Sequence, residues 1–183
     1  MKRITTKIKM ILFTSIQGIA MLAFFLLYRS FRQQWMLSLA ITLLTIFYHF
    51  AMRLVVGEVI TVIFKNREFP QDRWGFPLYD FEKGLYRKLR VKQWKMSMIT
   101  AKPEQFDLKQ VSLKELLHNM MQAELVHRII MILSFLPLFF IIPFGEPIVF
   151  IVTSIIACMM DSIFVIIQRY NRPRVVKLIK FVV

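Results

Sequence analysis

Residues 147–167, PIVFIVTSIIACMMDSIFVII, form the stretch that decides the fold: 21 residues in which Asp161 is the only charge. At 1.5 Å per residue, a helix of this length covers about 30 Å, the thickness of a bilayer's hydrocarbon core. Three other apolar stretches lie at residues 10–28, 35–64 and 129–144. The pattern predicts an all-α integral membrane protein with four transmembrane helices. The alternative for the short stretch 129–144 is a re-entrant pair with stretch 147–167.

The composition excludes the common alternatives to a membrane protein. The chain has 183 residues, of which 57% are hydrophobic and 14% aromatic. One soluble core of this size cannot bury so much apolar side chain, and disordered chains are poor in aromatic residues. The single cysteine, Cys158, excludes a disulfide framework within the chain and a multi-cysteine metal site.

The basic residues predict how the helices are oriented. There are 25 Lys and Arg against 11 Asp and Glu, and the link 143–147 contains no basic residue. Most of the cations fall before residue 10, within 65–128 or after residue 167. Because cytoplasmic loops are rich in Lys and Arg, we expect both termini and residues 65–128 to be cytoplasmic. The prediction is a single membrane domain, residues 1–183, with a cytoplasmic or interfacial helical insertion at 65–128, between spans two and three.

The middle region contains a basic amphipathic segment. Within residues 78–94, Phe81, Leu85 and Leu89 recur at helical spacing, and most of the other positions are Lys, Arg or polar. Such a helix suits the headgroup layer of an anionic bilayer, and no recognised nucleic-acid module is present.

Residues 69–77 predict a turn-rich aromatic segment. Ser112 and Glu115 form a capping box, which predicts a helix running from residue 113 into the third span.

Two ionisable residues lie inside the second apolar stretch. His49 and Arg53 are four residues apart, so they share one face of a helix. Ionisable groups within a membrane are costly and point to function. The structural alternative is that Arg53 extends to the interface, with Glu58 as a partly solvated partner.

Glu124 and His127 are the strongest catalytic candidates in the sequence. They stand at positions i and i+3, which places them on one side of the predicted third helix. A carboxylate beside an imidazole orients its tautomer and favours general-base catalysis. The same spacing also occurs at carboxylate metal sites and in ordinary helix-surface pairs.

A third polar cluster follows the fourth span. Pro173 disfavours helical geometry at the preceding residue, which predicts that the helix ends there. Arginine binds phosphate and carboxylate groups as a planar fork. The alternative is a positive-inside stop signal after a membrane span. Such a signal needs only basic charge, whereas this cluster also carries amide side chains. Its members are Gln168, Arg169, Asn171, Arg172 and Arg174.

Three segments together resemble a known family. They are QAELVH at 122–127, IQRYNRPRV at 167–175, and LRVKQWK at 89–95, which contains Trp94. They resemble the signatures of the glycosyl-diaponeurosporenoate acyltransferase family, a family of small multi-pass proteins of the bacterial cell membrane. The three occur in the order expected for that family, 89–95, then 122–127, then 167–175. The resemblance covers about residues 65–180. It implies transfer of a fatty acyl chain to the sugar of a glycosylated carotenoid.

The favoured function is therefore a membrane-embedded acyltransferase that acylates a hydroxyl of a lipid, glycosylated or not, at the cytoplasmic leaflet. We expect His127 to be the base and Glu124 to orient it. Expected partners are an anionic bilayer and a lipid substrate, with no metal and no cofactor beyond an acyl donor such as acyl-CoA or an acyl carrier. Residues expected to bind substrate or donor are His49, Arg53, Trp94, Gln168, Arg169, Asn171, Arg172 and Arg174.

Other function classes stay open on the sequence alone. A non-catalytic protein that binds lipid or a protein partner would use the same basic interface. A metal-dependent membrane enzyme would use Glu124, His127 and His49 as ligands, with His118 as a further candidate. A transporter built from four spans without an internal repeat would have to oligomerise. The sequence does not specify an oligomeric state.

Overall fold

A computed structural model describes residues 6–65, 76–94 and 103–182. Within these ranges the chain is helical and contains no strand. Short 3₁₀ helices occupy Pro103–Phe106 and Leu136–Phe140. The α-helices are α1 (Thr6–Phe31), α2 (Gln34–Phe64), α3 (Asp80–Lys88), α4 (Val91–Trp94), α5 (Leu113–Leu133), α6 (Ile141–Phe144) and α7 (Pro147–Val182).

The four predicted spans are confirmed. Four helical segments are long and apolar enough to cross a membrane: Thr6–Phe31, Gln34–Phe64, Leu113–Phe144 and Pro147–Phe181. The predicted capping box is also present, because the Glu115 backbone N–H donates to Ser112 Oγ at 3.2 Å. The third span therefore begins as α5 at Leu113, well before its apolar part.

Left-handed residues make two of the turns between spans. Arg32 has a φ of 56°, and its N–H donates to the Tyr28 carbonyl at 2.8 Å, which closes α1. Gly145 and Glu146 have φ values of 69° and 53° and separate α6 from α7. Glycine adopts such a φ without the steric cost of a Cβ, and Pro147 then suits the first position of α7.

The third span is interrupted after α5. The Ser134 hydroxyl donates to the Ile130 carbonyl at 2.8 Å. The chain then tightens into the 3₁₀ helix that carries Pro137. Proline lacks the N–H that an α-helix requires, so the short α6 is separated from α5 at this point.

The prediction that the fourth helix ends before Pro173 is wrong. α7 continues through Pro173 to Val182. Proline removes one helical hydrogen bond, but tertiary packing holds both sides of it in place. Arg169 and Arg172 are buried before it, and Val175 is buried after it.

The predicted amphipathic helix is divided into two. α3 ends at Lys88, and Arg90 adopts a left-handed φ of 52° before α4 begins at Val91. The apolar residues also divide. Tyr86 and Val91 are buried, whereas Phe81 is 68% exposed. The predicted turn-rich segment at 69–77 lies mostly outside the described residues.

The chain separates into two compact units. The first comprises Met1–Gly57 and Ile130–Met160. Its polar side chains bond mainly to backbone carbonyls. Examples are Thr45 to Ile41 and Tyr48 to Leu133, both at 2.8 Å. Such bonds satisfy hydroxyl groups where no water is available.

The second unit comprises Glu58–Ile129 and Asp161–Val183. It has two apolar clusters. One contains Phe76, Val175 and four residues of α5, namely Leu116, Leu117, Met120 and Met121. The other joins Tyr86, Val91 and Ile167, with Trp94 packed against them. These clusters dock α3 and α4 on the α7 segment of this unit, where the candidate site is formed.

Candidate functional site

The second unit pairs His127 of α5 with Asp161 of α7. His127 Nδ1 lies 2.8 Å from Asp161 Oδ1. The Asp161 residue is fully buried, whereas the His127 side chain is 20% exposed. The imidazole also stacks on Phe164, with ring centroids 4.4 Å apart and an interplanar angle of 5°. The ring is thus fixed in plane and in orientation.

This geometry selects a tautomer if the carboxylate is ionised. Nδ1–H then donates to Asp161, and Nε2 presents a lone pair. A histidine held in this way can accept a proton from a hydroxyl as that hydroxyl attacks a carbonyl. The pair has the orienting geometry that a general base requires.

The partner expected for His127 was Glu124, and the structure corrects this. The carboxylate that contacts His127 is Asp161, 34 residues further along the chain. Glu124 and His127 share one side of α5, but their directions differ by about 60° around the helix. That offset is enough for the two side chains to meet different neighbours.

Glu124 is instead the centre of a buried arginine network. The residue has no exposed surface. It accepts hydrogen bonds from Arg128 and from Arg169, the latter at 3.0 Å from Nη1. Arg172 Nη2 lies 3.6 Å from its other oxygen. A buried carboxylate surrounded by cations stabilises their charge, and removing it would leave those charges uncompensated.

Arg169 connects three segments of the second unit. Its Nε donates to Glu82 Oε2 at 3.0 Å, and its Nη2 donates to Glu82 Oε1 and to the Pro77 carbonyl. Its Nη1 donates to Glu124, as described above. The guanidinium group is therefore held by protein acceptors on several sides. This geometry favours a structural role over the substrate contact expected from the sequence.

Tyr86 completes the α3 side of this network. Its hydroxyl donates to Glu82 Oε2 at 2.9 Å. Burial, together with the hydrogen bond to Glu82, raises the pKa of Tyr86 to about 12. The phenol therefore stays neutral and remains a donor throughout the physiological range.

Arg172 and Arg128 converge on Phe76. Their guanidinium carbons lie 5.2 and 5.5 Å from the centre of its ring. Arg172 Nη2 also donates to the Phe76 carbonyl. Cations over an aromatic face are attracted by the ring's quadrupole. Arg128 keeps 27% of its side chain exposed, whereas the side chain of Arg172 keeps 7%.

The other predicted residues of α7 differ in exposure. Arg174 is exposed and lies 3.7 Å over the Tyr170 ring, with Nη1 donating to the Tyr170 carbonyl at 2.9 Å. Gln168 is 8% exposed, and Asn171 is half-buried. Trp94 is also half-buried, in the cluster with Tyr86 and Val91. Their expected binding roles stay predictions.

His49 and Arg53 belong to the first unit. Arg53 Nη1 donates to the His49 carbonyl at 2.9 Å, and Nη2 donates to the Ala157 carbonyl at 3.4 Å. His49 is 4% exposed and packs edge-on against Tyr48. Arg53 thus binds backbone carbonyls of its own unit. The expected substrate contacts of both residues stay predictions.

The first unit also contains an apolar cavity of about 450 Å³. Cavities that bind small ligands typically measure about 300–1,000 Å³. The hydroxyls of Thr45 and Tyr48, which line it, already donate to backbone carbonyls. The surface is therefore chemically suited to a hydrocarbon chain. Other lining residues are Leu44, Ala51, Val55, Leu133, Phe140 and Phe150.

The described residues do not support the metal-dependent alternative. Among them, no group of three or more His, Cys, Asp and Glu side chains is placed to hold a metal ion. Glu124 and His127, the ligands expected in that alternative, instead contact arginines and Asp161 respectively.

Sequence reasoning missed several members of the site. Arg128 stands four residues after Glu124, and Glu82 stands four before Tyr86, so both pairs had the spacing of helix neighbours. Asp161 was visible as the only charge in its apolar stretch. Its contact with His127 joins different helices, and one helix's periodicity carries no information about such a contact.

Comparison with known proteins identifies the family. Residues 65–181 match the family described as glycosyl-4,4'-diaponeurosporenoate acyltransferase. No curated protein and no solved structure matches the chain. The matched range contains His127, Asp161, Glu82, Glu124 and Arg169, and it covers more than half of the chain. The chain belongs to the glycosyl-4,4'-diaponeurosporenoate acyltransferase family.

Proposed function

We propose that this protein is a membrane-embedded acyltransferase that transfers a fatty acyl chain to a hydroxyl of a lipid, glycosylated or not. The observation that carries the proposal is the contact between His127 Nδ1 and the buried Asp161 carboxylate at 2.8 Å. Membership of an acyltransferase family and four apolar helices support it. A glycosylated carotenoid is the acceptor that the family description suggests.

The proposed reaction needs one base and an activated acyl donor. The acceptor hydroxyl oxygen attacks the acyl carbonyl carbon while His127 Nε2 takes the hydroxyl proton. The tetrahedral intermediate then expels the donor's leaving group, and the imidazolium returns the proton to it. With a thioester donor, the products are the acylated lipid and a free thiol. No cofactor other than the donor enters this balance.

Asp161 and the arginine network have separate proposed roles. Asp161 is a positioning residue, because it acts through the imidazole and stabilises the imidazolium that forms. The Glu124 network holds α5 and α7 in register, so that His127 and Asp161 meet. This replaces the orienting role first expected for Glu124.

Binding of the donor requires cations that can reach an anionic group. Arg128 and Arg174 retain exposed side-chain surface, whereas Arg169 is enclosed by protein acceptors. We assign contact with donor phosphates to Arg128 and Arg174, with Gln168 and Asn171 as hydrogen-bonding neighbours. The apolar cavity of the first unit is suited to an acyl or isoprenoid chain.

The proposed site of action is the cytoplasmic leaflet of a bacterial cell membrane. The basic residues at both termini and in the middle region favour a cytoplasmic location for these parts. Activated acyl donors such as acyl-CoA or an acyl carrier are then accessible from the same side.

The direct test compares His127→Ala with His118→Ala in purified protein in lipid nanodiscs. His118 lies on the same helix nine residues earlier, so it is on the opposite side of the helix from His127. Transfer of a labelled acyl chain to extracted lipids should fall about 10²–10⁴-fold in the first variant, the usual contribution of general-base catalysis. It should stay near the wild-type rate in His118→Ala.

Lipid profiles of cells identify the lipid that accepts the acyl chain. Lipid profiles of strains with the wild-type chain, with His127→Ala and with a deletion should differ by one acylated lipid, present only with the wild-type chain. Full turnover by purified His127→Ala contradicts the proposed base. Unchanged lipid profiles in all three strains favour a binding protein without turnover.

A further inference from the structure

We propose that α3 lies in the headgroup layer of an anionic leaflet, with a lipid-facing stripe formed by Phe81, Leu85 and Leu89. This surface is independent of the proposed acyl transfer. It uses residues that the arginine network leaves on the outside of the second unit. The occupant is the boundary between lipid headgroups and acyl chains.

The two faces of α3 have different environments. Glu82 and Tyr86 are buried, and Glu82 is bonded to Arg169 of α7. Phe81, Leu85 and Leu89 repeat every four residues and are 68%, 41% and 39% exposed. Neighbours at this spacing lie on one side of a helix. The stripe therefore keeps exposed apolar surface on the side of α3 that faces away from Glu82 and Tyr86.

The bond to Arg169 fixes the depth of α3. Arg169 follows the apolar run 147–167 by two residues in the continuous helix α7. That run covers about 30 Å, the whole hydrocarbon core, so Arg169 falls at the membrane edge. Because Glu82 binds Arg169 directly, α3 is held at the same level. An exposed apolar stripe at this level meets lipid before it meets water.

The surrounding charges identify the lipid class. Exposed basic side chains surround the stripe, and anionic headgroups attract Lys and Arg close to the surface. Tyr79 stacks on Phe81, with ring centroids 5.9 Å apart, and Tyr79 is 58% exposed. Aromatic residues are enriched at this depth of a bilayer. The basic residues are Lys83, Arg87, Lys88, Arg90 and Lys92.

The test places spin labels along α3 in the full-length protein. Single cysteines replace Phe81, Leu85 or Lys83 in a Cys158→Ala background, and each protein enters nanodiscs that hold one copy. Lys83 is the matched control, because it lies on α3 roughly opposite Phe81. Accessibility to oxygen relative to a water-soluble nickel complex reports immersion in lipid.

We expect this accessibility ratio to be about threefold higher at positions 81 and 85 than at 83 in nanodiscs containing phosphatidylglycerol. Replacing phosphatidylglycerol by phosphatidylcholine should reduce the difference by at least about half, since the charge attraction is then lost. Adding Lys88→Gln and Lys92→Gln to each spin-labelled protein should reduce the difference in the same direction.

Equal ratios at 81, 85 and 83 in anionic nanodiscs overturn the proposal. So does immersion that appears only when two copies share a nanodisc, because the stripe then contacts a second chain instead of lipid. A normal circular dichroism spectrum for each labelled protein excludes loss of the fold as the cause. None of these outcomes depends on acyl transfer.

Discussion

The His127–Asp161 pair and the arginine network around Glu124 both involve helices α5 and α7. They differ in whether a polar side chain keeps exposed surface that a substrate could reach. In the pair, Asp161 is buried and the imidazole remains 20% exposed. In the network, Glu124 has no exposed surface, and Arg169 donates to Glu82, Glu124 and Pro77.

The difference teaches how to interpret a polar cluster inside a membrane protein. Polar groups that satisfy one another hold helices together, and only a group with an unused atom can take part in chemistry. The arginine-rich segment of α7 is the more conspicuous in sequence, but its buried arginines, Arg169 and Arg172, donate hydrogen bonds to protein acceptors. Variants of the two regions should therefore separate stability from turnover.

The largest effect is expected for Glu124→Gln. Removing the charge leaves Arg128, Arg169 and Arg172 close together in a buried place, which should cost about 3–5 kcal/mol of unfolding free energy. The thermal midpoint followed by circular dichroism in detergent measures this loss. Glu115→Gln, an exposed position on the same helix, should leave the midpoint unchanged. Comparable midpoints for both variants would remove the structural role of Glu124.

Asp161→Asn should lower turnover without lowering stability, the opposite of the effect expected for Glu124→Gln. The carboxamide cannot stabilise an imidazolium and can favour the wrong histidine tautomer, so kcat should fall about 100-fold, or about 2.7 kcal/mol. KM and the thermal midpoint should change little. Steady-state acyl transfer provides both constants, with the exposed Asp80→Asn as the matched control. A rise in KM at constant kcat would indicate that Asp161 contacts substrate.

Arg169→Lys and Arg174→Lys compare two arginines of the same segment, residues 167–175, one buried and one exposed. Lysine cannot reproduce the bonds from one planar group to Glu82, Glu124 and Pro77, so Arg169→Lys should lose about 2 kcal/mol of stability. Arg174 is exposed, and its replacement should change stability by less than about 0.5 kcal/mol. If Arg174 contacts the donor, its variant should instead show a raised KM for the donor.

Among the buried positions, the smallest effect is expected for Tyr86→Phe, at about 1 kcal/mol for one hydrogen bond to Glu82. Its pH dependence is the sharper measurement. The pKa of Tyr86 is raised from 10.0 to about 12 by burial, so its contribution is complete below pH 10 and is lost as pH rises towards 12. The stability difference between wild type and variant should therefore shrink between pH 9 and pH 12. A constant difference would contradict the raised pKa.

The spans were predictable because apolar length is a local property. The stretches 35–64 and 147–167 begin within a residue of the observed α2 and α7, and the Ser112 cap marks the start of α5. The end of α7 was not predictable. Pro173 has a local preference to end the helix, but the packing of Arg169 and Val175 overrides it.

The candidate site was predictable in its residues more than in its contacts. His127, Glu124 and Arg169 were recognised from their types and positions. Which carboxylate meets which cation depends on the neighbours of each helix face, and spacing along one helix does not specify them. Glu82 shows the limit most clearly, because its partner Arg169 is 87 residues away in the chain.

That separation has a consequence for how the protein is made. Glu82 and Glu124 both precede Arg169 in the chain, so the ribosome incorporates both glutamates before Arg169. At about 5–20 residues per second, the interval of 87 residues between Glu82 and Arg169 lasts roughly 4–17 s. During that interval Glu82 of α3 lacks its partner Arg169. α7 therefore closes the second unit, and a nascent chain that stalls before α7 leaves both carboxylates without Arg169.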